Sequence, residues 1–156
     1  MKVFISYSHR DIETAKSLTD FLDMYHILYD WDRSHDNLPT DDPDELVQTL
    51  HSAIGVCSHI IAVISENTKQ SPWVPYEIGF GVASNLKAAT YGLSYLDVPA
   101  YLEIWPNFSK ESHLLKFILD QLEEERVLAK GILHEKLAFK RESFYVRMKK
   151  ITGQIR

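Results

Sequence analysis

Between Lys69 and Lys87 a single charged side chain occurs, Glu77, inside the run Ser71-Pro-Trp-Val-Pro-Tyr-Glu-Ile-Gly-Phe-Gly81. A carboxylate on so apolar a segment is costly to bury unless something pairs with it. Trp73 lies four residues earlier. On a helix the indole and the acid therefore share one face. An aromatic plate beside a partly desolvated acid suits a flat cationic ring, and the acid stabilises positive charge that forms next to it. The plainer reading of a lone Glu is a solvated helix residue.

Three other places offer ligand chemistry. Ser6, Tyr7 and Ser8 bring hydroxyls and one ring, and Arg10 brings a guanidinium able to meet a phosphate in bidentate fashion. A helix starting near Ser8 turns free N–H groups toward an anion. Trp31, like Trp73, can stack on a heterocycle. Each has a structural alternative: Tyr7 as a packing residue, Arg10 as a solvated cation, Trp31 as a cover on a sheet edge. Several chemistries have no motif here. The chain lacks Gly-x-Gly-x-x-Gly, a phosphate loop ending Gly-Lys-Ser/Thr, and a Gly-x-Ser-x-Gly elbow. The seven histidines are scattered, and His51 and His59 read as structural residues rather than metal ligands.

The elements that must position these residues alternate. Lys2–Ser6 reads as a first strand. Ser8 with Asp11 resembles a capping box opening a helix along Ile12, Ala15, Leu18, Leu22 and Tyr25. His26–Trp31 reads as a second strand, followed by a polar loop from Asp32 to Asp41. Asp42-Pro43-Asp44-Glu45 is a strong helix start. The apolar run His59–Ile64 fits a central strand covered on both faces. Ser71 is expected to cap the Glu77 helix, with Pro72 at its first position and Pro75 still in the first turn. Ala88–Leu93 and Pro99–Ile104 are further strand candidates, Ser109–Leu128 an amphipathic helix, and Glu135–Ile155 a last helix. This alternation predicts an α/β fold with an open, mostly parallel sheet and helices on both faces. In such sheets ligands bind beyond the carboxyl ends of the strands, where Tyr7–Asp11, Trp31–Asp41 and Ser65–Glu77 emerge.

The length, 156 residues, fits one domain, with a core to about residue 105 and a helical part from about 106 to 156. The 45% apolar and 25% charged composition is that of an ordinary soluble globular protein. A net charge of −5 gives no electrostatic case for nucleic acid or acidic membranes. Acidic residues crowd Asp30–Glu45 and basic ones the C-terminal stretch, which is either a solvated face or a contact surface. Cys57 is the only cysteine, so no internal disulfide forms. No signal peptide or membrane span is recognisable, and a reduced, cytoplasmic location is expected.

Val3-Phe-Ile-Ser-Tyr-Ser-His-Arg-Asp11, the strand ending Ile64-Ser65, and Ser71-Pro-Trp-Val-Pro-Tyr-Glu77 together resemble the Toll/interleukin-1 receptor (TIR) domain family in its bacterial form. The resemblance extends to about Trp105. It implies a flavodoxin-like fold with a central five-stranded sheet. It further implies cleavage of the nicotinamide–ribose bond of NAD+, as substrate rather than bound cofactor, by the acid matching Glu77. Ser6, Tyr7, Ser8, Arg10, Trp31, Asp32 and Trp73 are the implied substrate-binding positions. The loop matching Asp32–Asp41 usually carries a glycine, and this one has none. Also implied are a homo-oligomer on activation, a phage-derived trigger, and a separate effector that senses an ADP-ribose-derived product, as in Thoeris-like anti-phage defence. Two alternatives stand beside it: a non-catalytic TIR scaffold acting by homotypic contacts, and a nucleoside deoxyribosyltransferase-like enzyme with the same sheet and a catalytic Glu.

Overall fold

The computed structural model describes residues 1–31, 42–92, 100–131 and 143–155. Its sheet has five parallel strands: β1 (Lys2–Ser6), β2 (Leu28–Trp31), β3 (His59–Ile64), β4 (Lys87–Gly92) and β5 (Asn107–Phe108), in the order β2-β1-β3-β4-β5. The parallel sheet is the one the alternation of elements predicted, and its order is the flavodoxin-like one that the family resemblance implied. The chain steps outward from β1 to β2 and then back past β1 to β3. The connections therefore diverge between β1 and β3, the place where such sheets open a crevice. Phe4 pairs with both Asp30 and Ile60, which fixes β1 in register between its neighbours.

Two apolar layers cover the sheet. On one face Val3, Ile5 and Tyr7 pack with Leu18 and Leu22 of α1 (Ile12–Met24), Phe117 and Ile118 of α5 (Glu111–Lys130), and Met148 of α6 (Phe144–Thr152). On the other face Phe4 packs with Leu50 and Ile54 of α2 (Pro43–Gly55) and with Val74 and Ile78 of α3 (Trp73–Ala83). Every residue of β3 is buried, as a continuous apolar run between two helical layers should be. Each large apolar side chain removed from water in these layers contributes about 1.5–3 kcal/mol.

Local expectations were met unevenly. Asp42 caps α2 by accepting from the Asp44 amide at 2.9 Å, with Pro43 in the first turn. α3 begins at Trp73, one residue later than expected. Pro72 is its N-cap, and the Ser71 hydroxyl accepts only a long bond, 3.4 Å, from the Val74 amide. Ser8 and Asp11 form no capping box: Ser8 makes no side-chain cap bond, and a 3-10 turn at His9–Asp11 precedes α1. Ser65 and Thr68 form a reciprocal box instead, opening the 3-10 turn Glu66–Gln70.

The segment Pro99–Ile104, read as a strand, carries a short helix, α4 (Ala100–Glu103). Leu102 is buried while Ile104 is 54% exposed. A strand would have put both on one face; the turn of a helix separates them. The fifth strand is supplied by the two residues that follow Pro106. The loop Asp32–Asp41, Leu93 of the fourth strand candidate, and the first part of the last helix candidate lie outside the described residues.

Candidate active site

α3 carries Glu77, which is not among the residues lining either cavity described below. Its buried stripe is Val74, Glu77, Ile78 and Gly81, the spacing of one helix face. Glu77 therefore lies in the middle of the surface that α3 presses on the sheet, with a relative exposure of 0% and both carboxylate oxygens shut off from solvent. Gly81 sets how close that surface comes. A Cβ there would stand 3.3 Å from the Ile60 side chain, so the absence of one lets α3 seat directly on β3. Trp73, one turn before Glu77, is half-buried at the start of the same face.

α2 braces α3 from outside. The His51 ring stacks on Phe80 with 3.7 Å between ring centres, and its Nε2 lies 2.6 Å from the Tyr76 hydroxyl. Tyr76 in turn meets Trp73 edge to face at 5.9 Å. His51 thus reads as a packing residue that holds the aromatic row behind the site. Burial pushes the thiol of Cys57, two residues past the end of α2, up to about 11.

Strand periodicity decides what β1 contributes. Phe4 faces the α2–α3 layer, so Ser6 and Ser8 follow it to that side, while Ile5 and Tyr7 face the other. Ser6 is fully buried, and its hydroxyl has no hydrogen-bond partner among the described residues. Tyr7 is buried in the opposite layer, its ring 5.9 Å from that of Trp31. Tyr7 and Trp31 therefore form a pair on the α1 side, away from the Trp73 face. Asp32 lies outside the described residues.

A cavity of about 230 Å3 opens at the carboxyl edge between β1 and β3, lined by Ser8, His9 and Arg10 on one side and Asn67, Gln70 and Trp73 on the other. It brings together three of the predicted residues, Ser8, Arg10 and Trp73. Arg10 is exposed, and its Nη1 donates to Gln70 Oε1 at 3.1 Å across the mouth. A second, larger cavity of about 510 Å3 lies past Asn67, against Thr14, Tyr91 and Gly92. Asn67 and Gln70 did not stand out in the sequence. The signal available was their position: both follow the central strand within the segment predicted to emerge at the ligand-binding edge.

The chain belongs to the TIR domain family, whose model matches residues 3–93. Among solved structures, it is similar to the TIR domain of the Toll-related receptor TRR-2 from Hydra magnipapillata, with 17% identity and a TM-score of 0.58 over 80% of this chain and 97% of that one. It is also similar to a CMP N-glycosidase, BcmB, from Clostridium botulinum, with 18% identity and a TM-score of 0.52 over 76% of this chain and 98% of that one. At these identities the likeness is one of fold. No curated protein sequence matches the chain. No helix among the described residues is long and apolar enough to cross a membrane.

Proposed function

We propose that this TIR domain cleaves the nicotinamide–ribose bond of NAD+ and releases an ADP-ribose-derived signal. The observation that carries the reading is the placement of Glu77: a fully buried carboxylate on the inner face of α3, one turn below an indole that lines a cavity at the switch point of the sheet. Burial strengthens every electrostatic interaction the acid makes. Nicotinamide leaves as a neutral molecule from a cationic precursor, so the step needs no general acid. The electrons of the C–N bond go to the departing ring, and the ribose is left with oxocarbenium character that Glu77 stabilises. Trp73 supplies a face for the pyridinium ring, and Arg10 a cation for the pyrophosphate. Water as acceptor yields ADP-ribose, a nucleophile of the same molecule a cyclic isomer, and a small amine or alcohol a conjugate.

A second reading is favoured by one observation: the sheet is shared with a protein named as a CMP N-glycosidase. On that reading the bond cleaved joins ribose to a pyrimidine rather than to nicotinamide. In the proposed setting, bacterial defence against phage, the domain assembles into a homo-oligomer when triggered, and a separate effector responds to its product.

The test is nicotinamide release from NAD+, and base release from CMP, followed by chromatography with and without extract of phage-infected cells. NAD+ turnover by the wild type that falls on the order of a hundredfold or more in Glu77→Gln is the expected result. Equal behaviour of wild type and variant under activating conditions overturns it, and cleavage of CMP alone selects the second reading.

A further inference from the structure

Asp11 was expected to serve the start of α1. It does no such local work: it makes no side-chain cap bond to the helix whose N-cap position it occupies. Its carboxylate instead reaches across the crevice between β1 and β3. It accepts from the Ser65 hydroxyl at 2.6 Å and from the Asn67 side-chain amide at 2.7 Å. The residue is nearly buried, at 8% exposure. Bonds to an ionised acceptor at these lengths are of the stronger, charge-assisted kind.

The receiving loop is fixed from within as well. Ser65 Oγ accepts from the Asn67 amide at 2.9 Å, and Thr68 Oγ1 donates to the Ser65 turn's own strand at the Val63 carbonyl, 3.3 Å away. With the loop rigid, the bonds to Asp11 act as a strut between the two segments that wall the smaller cavity. Ser8, His9 and Arg10 immediately precede Asp11; Asn67, Gln70 and Trp73 follow Ser65. The Arg10–Gln70 bond at the mouth is exposed and has a neutral acceptor, so it cannot hold the spacing alone.

We propose that Asp11 is a positioning residue for substrate binding: it sets the width of the switch-point cavity and, through it, the placing of Arg10 against the pyrophosphate of a dinucleotide. This rests on the reading of the site given above. Asp11 touches no reacting atom. Its effect falls on binding, because the walls it joins carry Arg10 for the pyrophosphate and Trp73 for the ring, and not the Glu77 carboxylate.

The experiment compares Asp11→Ala, Asp11→Asn and Ser65→Ala in the full chain, measuring the Kd of ADP-ribose by titration calorimetry, KM and kcat for nicotinamide release, and the melting temperature. Asp11→Ala is expected to raise Kd and KM by at least about tenfold, the scale of one lost charge-assisted bond, with kcat little changed. Asp11→Asn keeps an acceptor for Ser65, and its amide bonds Asn67 once that side chain flips; it is expected within about threefold of wild type. A merely structural role would lower the melting temperature and the active fraction while leaving Kd and KM where they were, and that result overturns the proposal. If Asp11→Ala does not fold, Ser65→Ala decides: an unchanged Kd overturns the proposal, and a rise of about threefold or more supports it. Wild type that binds ADP-ribose but releases no nicotinamide defeats the enzymatic reading, while the Asp11 series is still judged on Kd. Wild type that does neither defeats both.

Discussion

The ring of His59, at the amino end of β3, meets Gln121 of α5 at 2.9 Å between Nε2 and Oε1. Lys87 donates to the same oxygen at 2.8 Å, so that oxygen is an acceptor and Nε2 carries the hydrogen. Nδ1 is then left to accept from Ser58, 2.8 Å away. The ring is buried between Phe117 and Phe144, both edge-on to it. Burial, with Lys87 nearby, holds its pKa down to about 4.

A pH dependence of stability follows. The folded pKa lies below the ordinary histidine value near 6.5, so the unfolded chain binds the extra proton more readily. Stability is therefore fully present above about pH 6.5, and is lost as pH falls from there toward 4. The full loss is roughly 3 kcal/mol. The groups facing the ring are Lys87, Gln121, Ser58, Glu124 and the N-terminus. Burial alone would raise the Glu124 carboxyl, but Lys87 and Arg147 outweigh it and hold it down. Urea melts at pH 7.5 and 5 are expected to differ clearly for wild type and much less for His59→Gln.

On the proposed reading of the site, Trp73 bears on binding rather than on the chemical step. Replacing it with Ala removes the flat wall of the cavity, and stacking of this kind is worth about 1–3 kcal/mol. KM for NAD+ is expected to rise roughly tenfold or more, with a smaller change in kcat, and Trp73→Phe to recover most of the loss. Initial-rate measurements of nicotinamide release on both variants separate the two constants.

Gly92 closes β4 where the larger cavity begins. A Cβ built there falls 2.2 Å from the Ile64 carbonyl oxygen, a backbone atom that cannot turn aside. Gly92→Ala is expected to destabilise by about 1–3 kcal/mol. Gly79 is the contrast, because nothing lies within 4 Å of a Cβ there and it sits inside α3. Gly79→Ala is expected to stabilise by about 0.5–1 kcal/mol. Thermal melts of the two variants should move in opposite directions.

Arg147 fastens α6 to α5. Its guanidinium reaches Asp120 at 2.9 Å and Glu124 at 2.6 Å, with all three side chains mostly buried. Removing it leaves two acids short of a cation, at a cost of roughly 3 kcal/mol or more. In Arg147→Ala, hydrogen exchange is expected to speed up across Phe144–Thr152 before it changes in β3.

Much of this was legible because it rests on local periodicity. The alternation of strand and helix, the apolar run of β3 and the Asp42-Pro43 start of α2 are each written within a few residues. Glu77 showed itself as a lone charge in apolar sequence, and burial is where such a pattern leads. What could not be read depends on distant residues. Asp11 looked like a cap for its own helix because its partners, Ser65 and Asn67, lie more than fifty positions away. Tyr7 and Trp31 read as site aromatics because each sits at a strand end; only the pleat and the pairing of β1 with β2 send them to the α1 side. The α4 segment was ambiguous because four to six apolar residues fit a strand and a helix equally well.

The pleat of β1 has a further consequence. From Val3 onward its side chains alternate, Val3, Ile5 and then Tyr7 toward α1, Phe4 and Ser6 toward α3. Inserting or deleting one residue in this strand would evert it, sending Tyr7 toward α3 and the serines into the greasy layer under α1. A shift of two would restore the order. The facing of these residues is thus guarded by parity: length changes within β1 preserve it only in even steps.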